Sequence, residues 1–475
     1  MRLKLLTLAL ALAAVSLPSH GEDLLDAYRD ARANDPVLAQ ADANRLATGE
    51  GVPLARAGLL PQIGATLSLS QTNNGQSSGF DQGGFGSSGA DSYLCSGIAA
   101  GTGNYTCTGP LAPSGAGVDA GHSRTRSLNT TLSQTIFDFG KYANLKAAHS
   151  AANAQDATYQ AAAQNLLVRV TAAYFTVLND EDQLTFAKAN EDAFKRQYDQ
   201  ADQQYKVGLS AITNVYQAKA YYENARTQTI AAQNTLDNDK EARRVITGKP
   251  VGELKKLRDD LPMQPPAPSD PDAWVKVAMQ NNPTLLAQQD NVETAEHNIT
   301  AARSGHLPTI TANVNYGKNS LWYQNPLVSG SNQPASTTIG LTLNVPIFSG
   351  GATHARVRQS IYERDAANDA MELQRRQVVQ NTLNYYRSVL AGISQVESGK
   401  ASVESGQKAL EATRAGFEVG TQTFTDVLLA IQTLTQSESA YSQARHQFIL
   451  NKLLLQQAAG TADFKDIQGI NALLQ

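Results

Sequence analysis

The sequence predicts an α+β membrane fold with an internal duplication, in which pairs of β-strands are followed by unusually long helices. Three observations lead to this prediction. Short motifs recur in the same order and at constant spacing in the two halves of the chain. Strict alternation of apolar and small polar residues marks two strands in each half. Long stretches without proline, with apolar residues at 3-4 spacing, mark the helices that follow the strands.

The chain begins with the pattern of a secretory signal peptide, residues 1–21. Two basic residues precede an apolar segment from Leu5 to Leu17, and Pro18 and Gly21 follow as a helix breaker and a small residue. A membrane anchor is the alternative, but this segment is too short to span a bilayer of ~30 Å. We therefore expect cleavage after Gly21 and export from the cytoplasm.

The mature chain carries 37 basic residues (39 − 2) and 43 acidic residues, which gives a net charge of −6. This balance offers no basic face, so a nucleic-acid partner is not expected. No other long uncharged apolar stretch follows the leader, and no transmembrane helix is expected in the mature chain. The mature chain would enter a bilayer only through β-strands or an amphipathic surface.

The two halves of the chain repeat each other. Asn34-Asp35-Pro36 returns as Asn281-Asn282-Pro283 and Leu60-Pro61 as Leu307-Pro308, both at an offset of 247 (283 − 36 and 308 − 61). Val207-Gly208 returns as Val419-Gly420 and Thr247-Gly248 as Ala459-Gly460, both at an offset of 212 (420 − 208 and 460 − 248). We predict a first repeat at residues 22–248 and a second at 271–475, which ends in a short tail. Residues 249–270 between them are rich in proline, as in a linker.

Each repeat contains one predicted β-hairpin, at residues 61–137 and 308–348. Mostly apolar residues occupy one face of the four strands: Ile63, Ala65, Leu67 and Leu69; Leu128, Thr130, Leu132 and Ile136; Ile310, Ala312, Val314 and Tyr316; Ile339, Leu341, Leu343, Val345 and Ile347. Small polar residues alternate with them, as in bilayer-crossing barrels. Four strands cannot close a barrel around water, and an open sheet edge is forbidden in lipid. The alternatives are a soluble pair of hairpins or one barrel shared by several chains.

The loop of the first hairpin, residues 72–123, is rich in glycine and serine and contains both cysteines, Cys95 and Cys107. If the strands cross the outer membrane, this long loop lies outside the cell. In an oxidising compartment we expect a disulfide between Cys95 and Cys107, with two free thiols as the alternative. The second loop, residues 318–336, carries Trp322 and Tyr323, which belong either to an interfacial aromatic belt or to the cover of a pore mouth.

Long helices complete each repeat. No proline occurs from Asp138 to Val207, so the sequence predicts one helix there, roughly 105 Å long at ~1.5 Å per residue. Its apolar residues at 3-4 spacing, and their counterparts at an offset of 212, predict coiled-coil packing against returning helices. Tight turns at Gly208 and Gly420 would join these antiparallel neighbours.

The order of these features resembles the TolC family of outer-membrane efflux proteins over essentially the whole mature chain. The resemblance implies a homotrimer in the outer membrane with a shared transmembrane β-barrel of twelve strands, four from each chain. A twelve-helix coiled-coil barrel would continue this pore through the periplasm. The resemblance also implies two kinds of partner, a periplasmic adaptor (membrane fusion) protein and an inner-membrane ABC or RND-type transporter.

The resemblance further implies a periplasmic aperture at the helical tips, with adaptor docking at the turns of Gly208 and Gly420. The positions that match the family's aperture are Asp426, Thr213, Asn214, Phe417, Gln422 and Leu429. Asp426 matches a family aspartate, whereas three of the others are neutral where the family has charges. We expect Asp426 to line the pore as nearly the only acidic ring there. The alternative for Asp426 is a solvated residue at a helix start.

No constellation for catalysis or metal binding is apparent, and no cofactor is expected. Gly75-Gln76-Ser77-Ser78-Gly79 matches the Gly-x-Ser-x-Gly pattern of serine hydrolases. That mechanism requires a tight turn between a strand and a helix, whereas this segment lies between a predicted strand and a predicted loop. The histidines show no paired spacing for a metal, and the predicted disulfide leaves no cysteine for zinc. An enzyme is therefore not expected.

The predicted function is a passive duct from an inner-membrane pump to the exterior, for efflux of small molecules or for type I protein secretion. The alternative is a soluble periplasmic coiled-coil scaffold or adaptor without a pore. Such an adaptor would not need four ten-residue strands with apolar outward faces. No motif specifies the cargo, because drugs, proteins and metal ions would traverse a similar tunnel.

Overall fold

The computed structural model describes residues 22–73, 122–323 and 334–475, which form two compact units. The larger unit comprises the chain up to Ala55, Ala143–Arg303 and Gly351–Gln475, and the smaller unit comprises Arg56–Tyr142 and Ser304–Gly350. The predicted leader and the predicted disulfide between Cys95 and Cys107 lie outside the described residues, so both stay predictions.

The helices follow the same order in the two halves of the chain. The first half contains α1 (Leu24–Asn34), α2 (Pro36–Gly49), α3 (Gly51–Ala57), α4 (Phe139–Lys206) and α5 (Ile212–Thr247). The second half contains α6 (Pro271–Asn281), α7 (Pro283–Arg303), α8 (Ala352–Glu418), α9 (Phe424–Ala458) and α10 (Phe464–Asn471). Helices α4 and α8 have 68 and 67 residues, and α5 and α9 have 36 and 35. The single long helix predicted between Asp138 and Val207 is confirmed to within one residue at each end.

The first helical segment of each half is divided into two helices at the Asn-x-Pro motif. Proline lacks an N–H and pushes the residue before it out of the helical region. Asp35 and Asn282 accordingly have extended ψ angles of 117° and 116°. Their side chains then cap the next helix, because the Leu38 N–H donates to Asp35 Oδ2 at 2.8 Å and the Thr284 N–H to Asn282 Oδ1 at 3.0 Å.

This motif docks on the end of the returning helix in its own repeat. Asn34 Nδ2 donates to the Thr247 carbonyl at 3.1 Å. Gly248 follows the last residue of α5, and Gly460 follows the end of α9. Both glycines have φ of 73°. A Cβ on Gly460 would lie 2.3 Å from the Asn281 carbonyl oxygen, so the close approach as well as the backbone angle requires glycine there.

Coiled-coil packing between α8 and α9 depends on glycines spaced seven residues apart. Gly392 lies against Phe448, Gly399 against Tyr441 and Gly406 against Leu434. A Cβ built on these glycines would lie 3.2, 3.3 and 3.4 Å from the facing side chains, so the two backbones approach closely. Along this seam the residue number rises in α8 while the number of the facing residue falls in α9, as the predicted antiparallel packing requires.

The proline-rich segment predicted as a linker is mostly exposed, but two of its leucines pack into the core of the larger unit. Leu254 and Leu257 are buried in the same cluster as residues of α1, α4 and α9. Leu254 bridges Glu22 in parallel, and Leu257 bridges Leu474 in the antiparallel sense. The segment therefore pairs with both the N-terminal and the C-terminal part of the described chain.

A buried ion pair lies beside this segment. Arg243 of α5 is 1% exposed, and its guanidinium contacts the Glu22 carboxylate and lies 5.5 Å from the centre of the Tyr174 ring. The Tyr174 hydroxyl donates to the carbonyls of Glu22 and Lys255 at 3.1 and 2.9 Å. These contacts attach the start of the described chain to α4 and α5.

One stretch of α4 is long and apolar enough, by length and composition, to cross a membrane. Half of that stretch is buried within the protein. Leu166, Val170, Tyr174 and Val177 of α4 belong to the central apolar cluster, where they are at most 1% exposed. The apolar character of α4 is therefore explained by its place in the core of the larger unit.

The smaller unit contains one antiparallel sheet in the order β1-β2-β3-β4. Its strands are β1 (Gln62–Asn73), β2 (His122–Phe137), β3 (Thr309–Tyr323) and β4 (Ser336–Asn344). Strands β2 and β3 come from different halves of the chain and pair with each other, so the two predicted hairpins form one sheet. Within the described residues, neither β1 nor β4 has a partner on its outer edge.

The register places the alternating apolar residues of all four strands on one face. Leu132 lies opposite Ile63 on one side and Val314 on the other, and Val314 in turn lies opposite Ile339. Small polar residues share the other face, where the hydroxyls of Ser68 and Ser127 are hydrogen-bonded. A slip of one residue would move every side chain to the opposite face, so the alternation specifies this register.

Two strand ends, at opposite ends of the sheet, differ from the prediction. Strand β3 continues to Tyr323 through part of the segment 318–336, which was expected as a loop, because the long β2 supplies partners as far as Ser123. Strand β4 ends at Asn344, and Val345 is not part of it. Pro346 has no N–H for a ladder hydrogen bond, which accounts for the early end.

A second correction concerns Ile136, which was expected on the apolar face. The register shifts between Thr135 and Phe137, and Phe137 instead lies opposite Ile310. Such a bulge adds one residue to one strand and re-aims the side chains that follow it. Simple alternation therefore fails at the end of β2.

Candidate functional site

The candidate site lies at the two helical tips of the larger unit, where α4 turns into α5 and α8 into α9. Gly208 and Gly420 have φ of 78° and 79°. In the first turn the Gly208 N–H donates to the Tyr205 carbonyl at 2.9 Å and the Leu209 N–H to the Gln204 carbonyl at 2.8 Å. The second turn repeats this pattern, which is that of a Schellman C-cap with glycine in the left-handed region.

Asp426 closes a capping box at the start of α9. The Thr423 N–H and hydroxyl donate to Asp426 Oδ2 at 2.8 and 2.6 Å, and the Asp426 N–H donates to the Thr423 hydroxyl oxygen at 3.2 Å. These hydrogen bonds from Thr423 favour the ionised carboxylate, so they lower the pKa of Asp426 below its usual value. The structure thus gives Asp426 a local role, because the carboxylate satisfies an N–H at the helix start.

The first tip lacks this charged cap. Ala211 precedes α5 and makes no side-chain capping bond. Asn214, the counterpart of Asp426 at an offset of 212, donates from Nδ2 to the Ser210 hydroxyl at 3.1 Å, and Thr213 is exposed. The two tips therefore share a backbone turn but differ in charge.

Phe417, Gln422 and Leu429 have three different surroundings in the second tip. The Phe417 ring lies 5.8 Å from the Phe424 ring and packs against the tip core. The Gln422 side chain lies over Gly416, where a Cβ would be 2.6 Å from Gln422 Cγ. Leu429 is 48% exposed, so its apolar surface is open in the single chain.

The two tips are joined by an apolar cluster and a polar contact that the sequence patterns did not reveal. Phe194 and Val215 from the first tip cluster with Phe424 and Val427 from the second. Gln217 Nε2 donates to the Thr425 hydroxyl at 3.2 Å, which links α5 to α9. The Thr423-x-x-Asp426 spacing was a readable signal for the capping box, whereas the contact between α5 and α9 joins residues more than two hundred positions apart.

The site offers hydrogen-bonding groups and the carboxylate of Asp426, and Glu418 at the end of α8 is a second acidic residue of this tip and is exposed. Among residues 22–73, 122–323 and 334–475, no group of three or more histidine, cysteine or acidic side chains is placed to hold a metal. Its features are exposed turns, exposed apolar side chains and the Asp426 carboxylate.

Comparison with known proteins settles the class of this architecture. The profile of the outer membrane efflux protein family matches residues 27–249 and 274–461, which is most of the chain. The chain belongs to the outer membrane efflux protein family. The outer membrane protein TolC of Escherichia coli (strain K12) is 31% identical over 475 residues, with 98% of this chain and 88% of the relative covered.

Two further proteins, one matched by sequence and one by structure, are similar to this chain. The alkaline protease secretion protein AprF of Pseudomonas aeruginosa is 24% identical, with 72% of this chain and 71% of the relative covered. The solved structure of CusC has a TM-score of 0.72 at 17% identity, with 93% and 92% of the two chains covered, and it supports the fold alone. The family member described here is an outer-membrane channel protein for efflux or type I secretion. The alternative of a pore-free soluble adaptor is therefore wrong.

Proposed function

We propose that this outer membrane efflux protein acts as a passive trimeric duct, with a twelve-stranded barrel built from three copies of its sheet. The observation that carries the proposal is the open sheet, in which the outer edges of β1 and β4 have no partner among the described residues. Unpaired backbone groups are too costly in lipid for such a sheet to cross a membrane alone. Pairing β4 of one copy with β1 of the next removes both edges.

The two faces of the sheet support this assembly. On the apolar face, Ile339, Leu341 and Leu343 of β4 are 79%, 71% and 60% exposed in the single chain. Large side chains with this exposure fit an outer surface in contact with lipid. The small polar residues of the other face, such as Thr342 and Gly340, fit a wet lumen.

The helical tips are the proposed docking surface for a periplasmic adaptor, which would connect the duct to an inner-membrane ABC or RND-type transporter. Val207, Leu209 and Tyr216 at the first tip are 69%, 80% and 68% exposed, and Val419 at the second tip is 75% exposed. Clustered exposed apolar side chains at a rigid turn are typical of a protein-binding surface.

The proposed periplasmic aperture lies at the same tips and includes Asp426, Thr213, Asn214, Phe417, Gln422 and Leu429. In a trimer, three Asp426 carboxylates would surround one axis and attract cations. The neutral Asn214 and Gln422 would leave this ring with few other charges nearby.

Native mass spectrometry of the detergent-extracted full-length protein tests the assembly, and planar-bilayer recording tests the pore. We expect three copies per particle and a discrete conductance that disappears when heating separates the copies. A stable monomer that stays soluble without detergent, or a trimer that never conducts, would contradict the duct.

A further inference from the structure

A cavity of about 220 Å³ lies between α9, α10 and the proline-rich segment of the larger unit. Its apolar walls are formed by Leu261, Pro262, Phe448, Ile449, Leu453 and Ile470. Four of these side chains belong to the central core, with exposures from 0% for Leu453 to 8% for Ile470. The floor of the cavity is therefore formed by buried core side chains rather than by surface side chains.

Two lysines line the same cavity from different helices. Lys452 belongs to α9 and Lys465 to α10, and both side chains are exposed. Throughout the part of the chain that the structure describes, every salt bridge joins other residues, so neither ammonium group has a carboxylate partner. Unpaired positive charges beside an apolar floor form an amphipathic site.

The acidic residue in the cavity lining, Asp466, is already engaged by neutral donors. Its Oδ1 accepts from Gln456 Nε2 at 2.7 Å, and its Oδ2 accepts from the Asp463 N–H at 2.9 Å in a second capping box. The Asp466 carboxylate therefore does not neutralise either lysine directly. With two cations and one occupied anion, the lining keeps a net positive charge.

We infer that this cavity binds a small amphipathic carboxylate, with one ring or a short alkyl chain against the apolar floor. An apolar cavity of about 150 Å³ is large enough to hold benzene, so a monocyclic acid fits the space available here. The carboxylate would then be placed between the ammonium groups of Lys452 and Lys465, which supply charge-assisted hydrogen bonds. This inference does not depend on the proposed trimer or aperture.

The test uses the full-length protein in lipid nanodiscs and 4-(trifluoromethyl)benzoate as the probe, observed by fluorine NMR. We expect protein-dependent line broadening that saturates, with empty nanodiscs as the blank. The Lys452→Gln, Lys465→Gln double variant should bind about a hundredfold more weakly, since it removes two charge-assisted contacts and each contributes roughly a factor of ten in affinity. Salt should weaken binding to the unmodified protein, because exposed charges are screened.

Matched controls separate a specific site from general adhesion. Lys408→Gln removes an exposed lysine of α8 that does not line the cavity, and it should bind like the unmodified protein. The neutral probe 4-(trifluoromethyl)benzamide should bind weakly, and acetate, which lacks an apolar body, should not displace the benzoate. Saturable binding that is equal for the benzamide, or unchanged in the double variant, would overturn the inference. The absence of binding at millimolar concentrations of the probe would also overturn the inference, and a neighbouring copy of the chain that fills the cavity would give this result.

Discussion

Asp426 combines a local structural role with a proposed role in the assembled pore. In the single chain its carboxylate accepts hydrogen bonds from Thr423 and stabilises the start of α9. The same hydrogen bonds lower its pKa, so the group stays ionised well below neutral pH. A ring of three such carboxylates would therefore keep its charge under mildly acidic conditions.

For Asp426→Asn we expect the loss of most cation preference in planar-bilayer recordings, because the substitution changes all three copies and so removes the proposed acidic ring. The unmodified channel should keep its preference at pH 5. The measurement is the reversal potential in a salt gradient, taken for both proteins at pH 5 and pH 7.

The control for this variant is Asp466→Asn, which alters the matching residue of another capping box at α10. Both substitutions weaken a helix start, at a cost of about 1 kcal/mol. Only Asp426→Asn should change ion selectivity. Unchanged selectivity would mean that Asp426 acts as a helix cap alone, as in the solvated alternative.

Asp180 is a second residue whose protonation matters, and it lies on α4 facing α5. Its side chain is 8% exposed. Burial is the main cause that raises its pKa to about 7, and the neighbouring Asp239 of α5 adds to the shift through a hydrogen bond and charge repulsion. If both carboxyl groups were ionised, their charges would repel each other in this buried interface, and protonation of one of them removes the repulsion.

The raised pKa gives a sign to the pH dependence of stability. The folded state holds a proton that the unfolded chain releases near pH 3.8, so the stabilisation is complete below that pH and is lost as pH rises towards 7. We expect the unfolding temperature to fall between pH 5 and pH 8, and Asp180→Asn to remove much of that fall because the amide cannot ionise.

Asp192→Asn, an exposed carboxylate of the same helix, is the matched control and should leave the pH profile unchanged. Circular dichroism melts of the detergent-solubilised protein measure all three profiles. Parallel profiles for the unmodified protein and Asp180→Asn would show that the carboxyl pair does not couple to folding.

At the scale of elements, the seam between α8 and α9 depends on the absence of side chains at three positions. Gly392→Val should destabilise the protein by ~1–3 kcal/mol, because a Cβ there already lies 3.2 Å from the Phe448 ring and larger groups overpack the seam. Gly469→Ala in α10 meets open space and should be neutral or stabilising by up to ~1 kcal/mol. Chemical denaturation of both variants gives the comparison, and equal stabilities would argue against close packing at this seam.

At the scale of the whole molecule, the faces of the sheet determine which substitutions permit assembly. Leu341 lies on the apolar face opposite Ala312, and Thr342 lies on the polar face opposite Thr311. Leu341→Arg should cost ~2–4 kcal/mol near the midplane of the membrane and reduce trimer yield. Thr342→Arg should assemble normally, because arginine is tolerated in a wet lumen.

Trimer abundance in outer-membrane fractions, measured by native electrophoresis at equal expression, tests this pair. The two arginine variants differ in position by one residue, so general effects of the added charge cancel. If both assemble equally well, the assignment of the faces to lipid and lumen fails.

Local patterns were sufficient for much of the fold and for the position of the candidate site. Alternation along the strands predicted the faces of the sheet, and the lack of proline predicted α4 almost to the residue. The glycines of the two tips were predicted as turns, because only a residue that tolerates positive φ ends these helices so sharply. Such features are encoded within a few residues, so the sequence by itself determined them.

Tertiary structure decided what depends on residues far apart in the chain. The docking of Asn34 on Thr247, the burial of Leu254 and Leu257 and the shared core of the two tips join positions that no local period relates. The bulge near Phe137 likewise follows from pairing with β3 and not from alternation within β2. Packing determines these features, because a side chain's burial depends on which distant surface meets it.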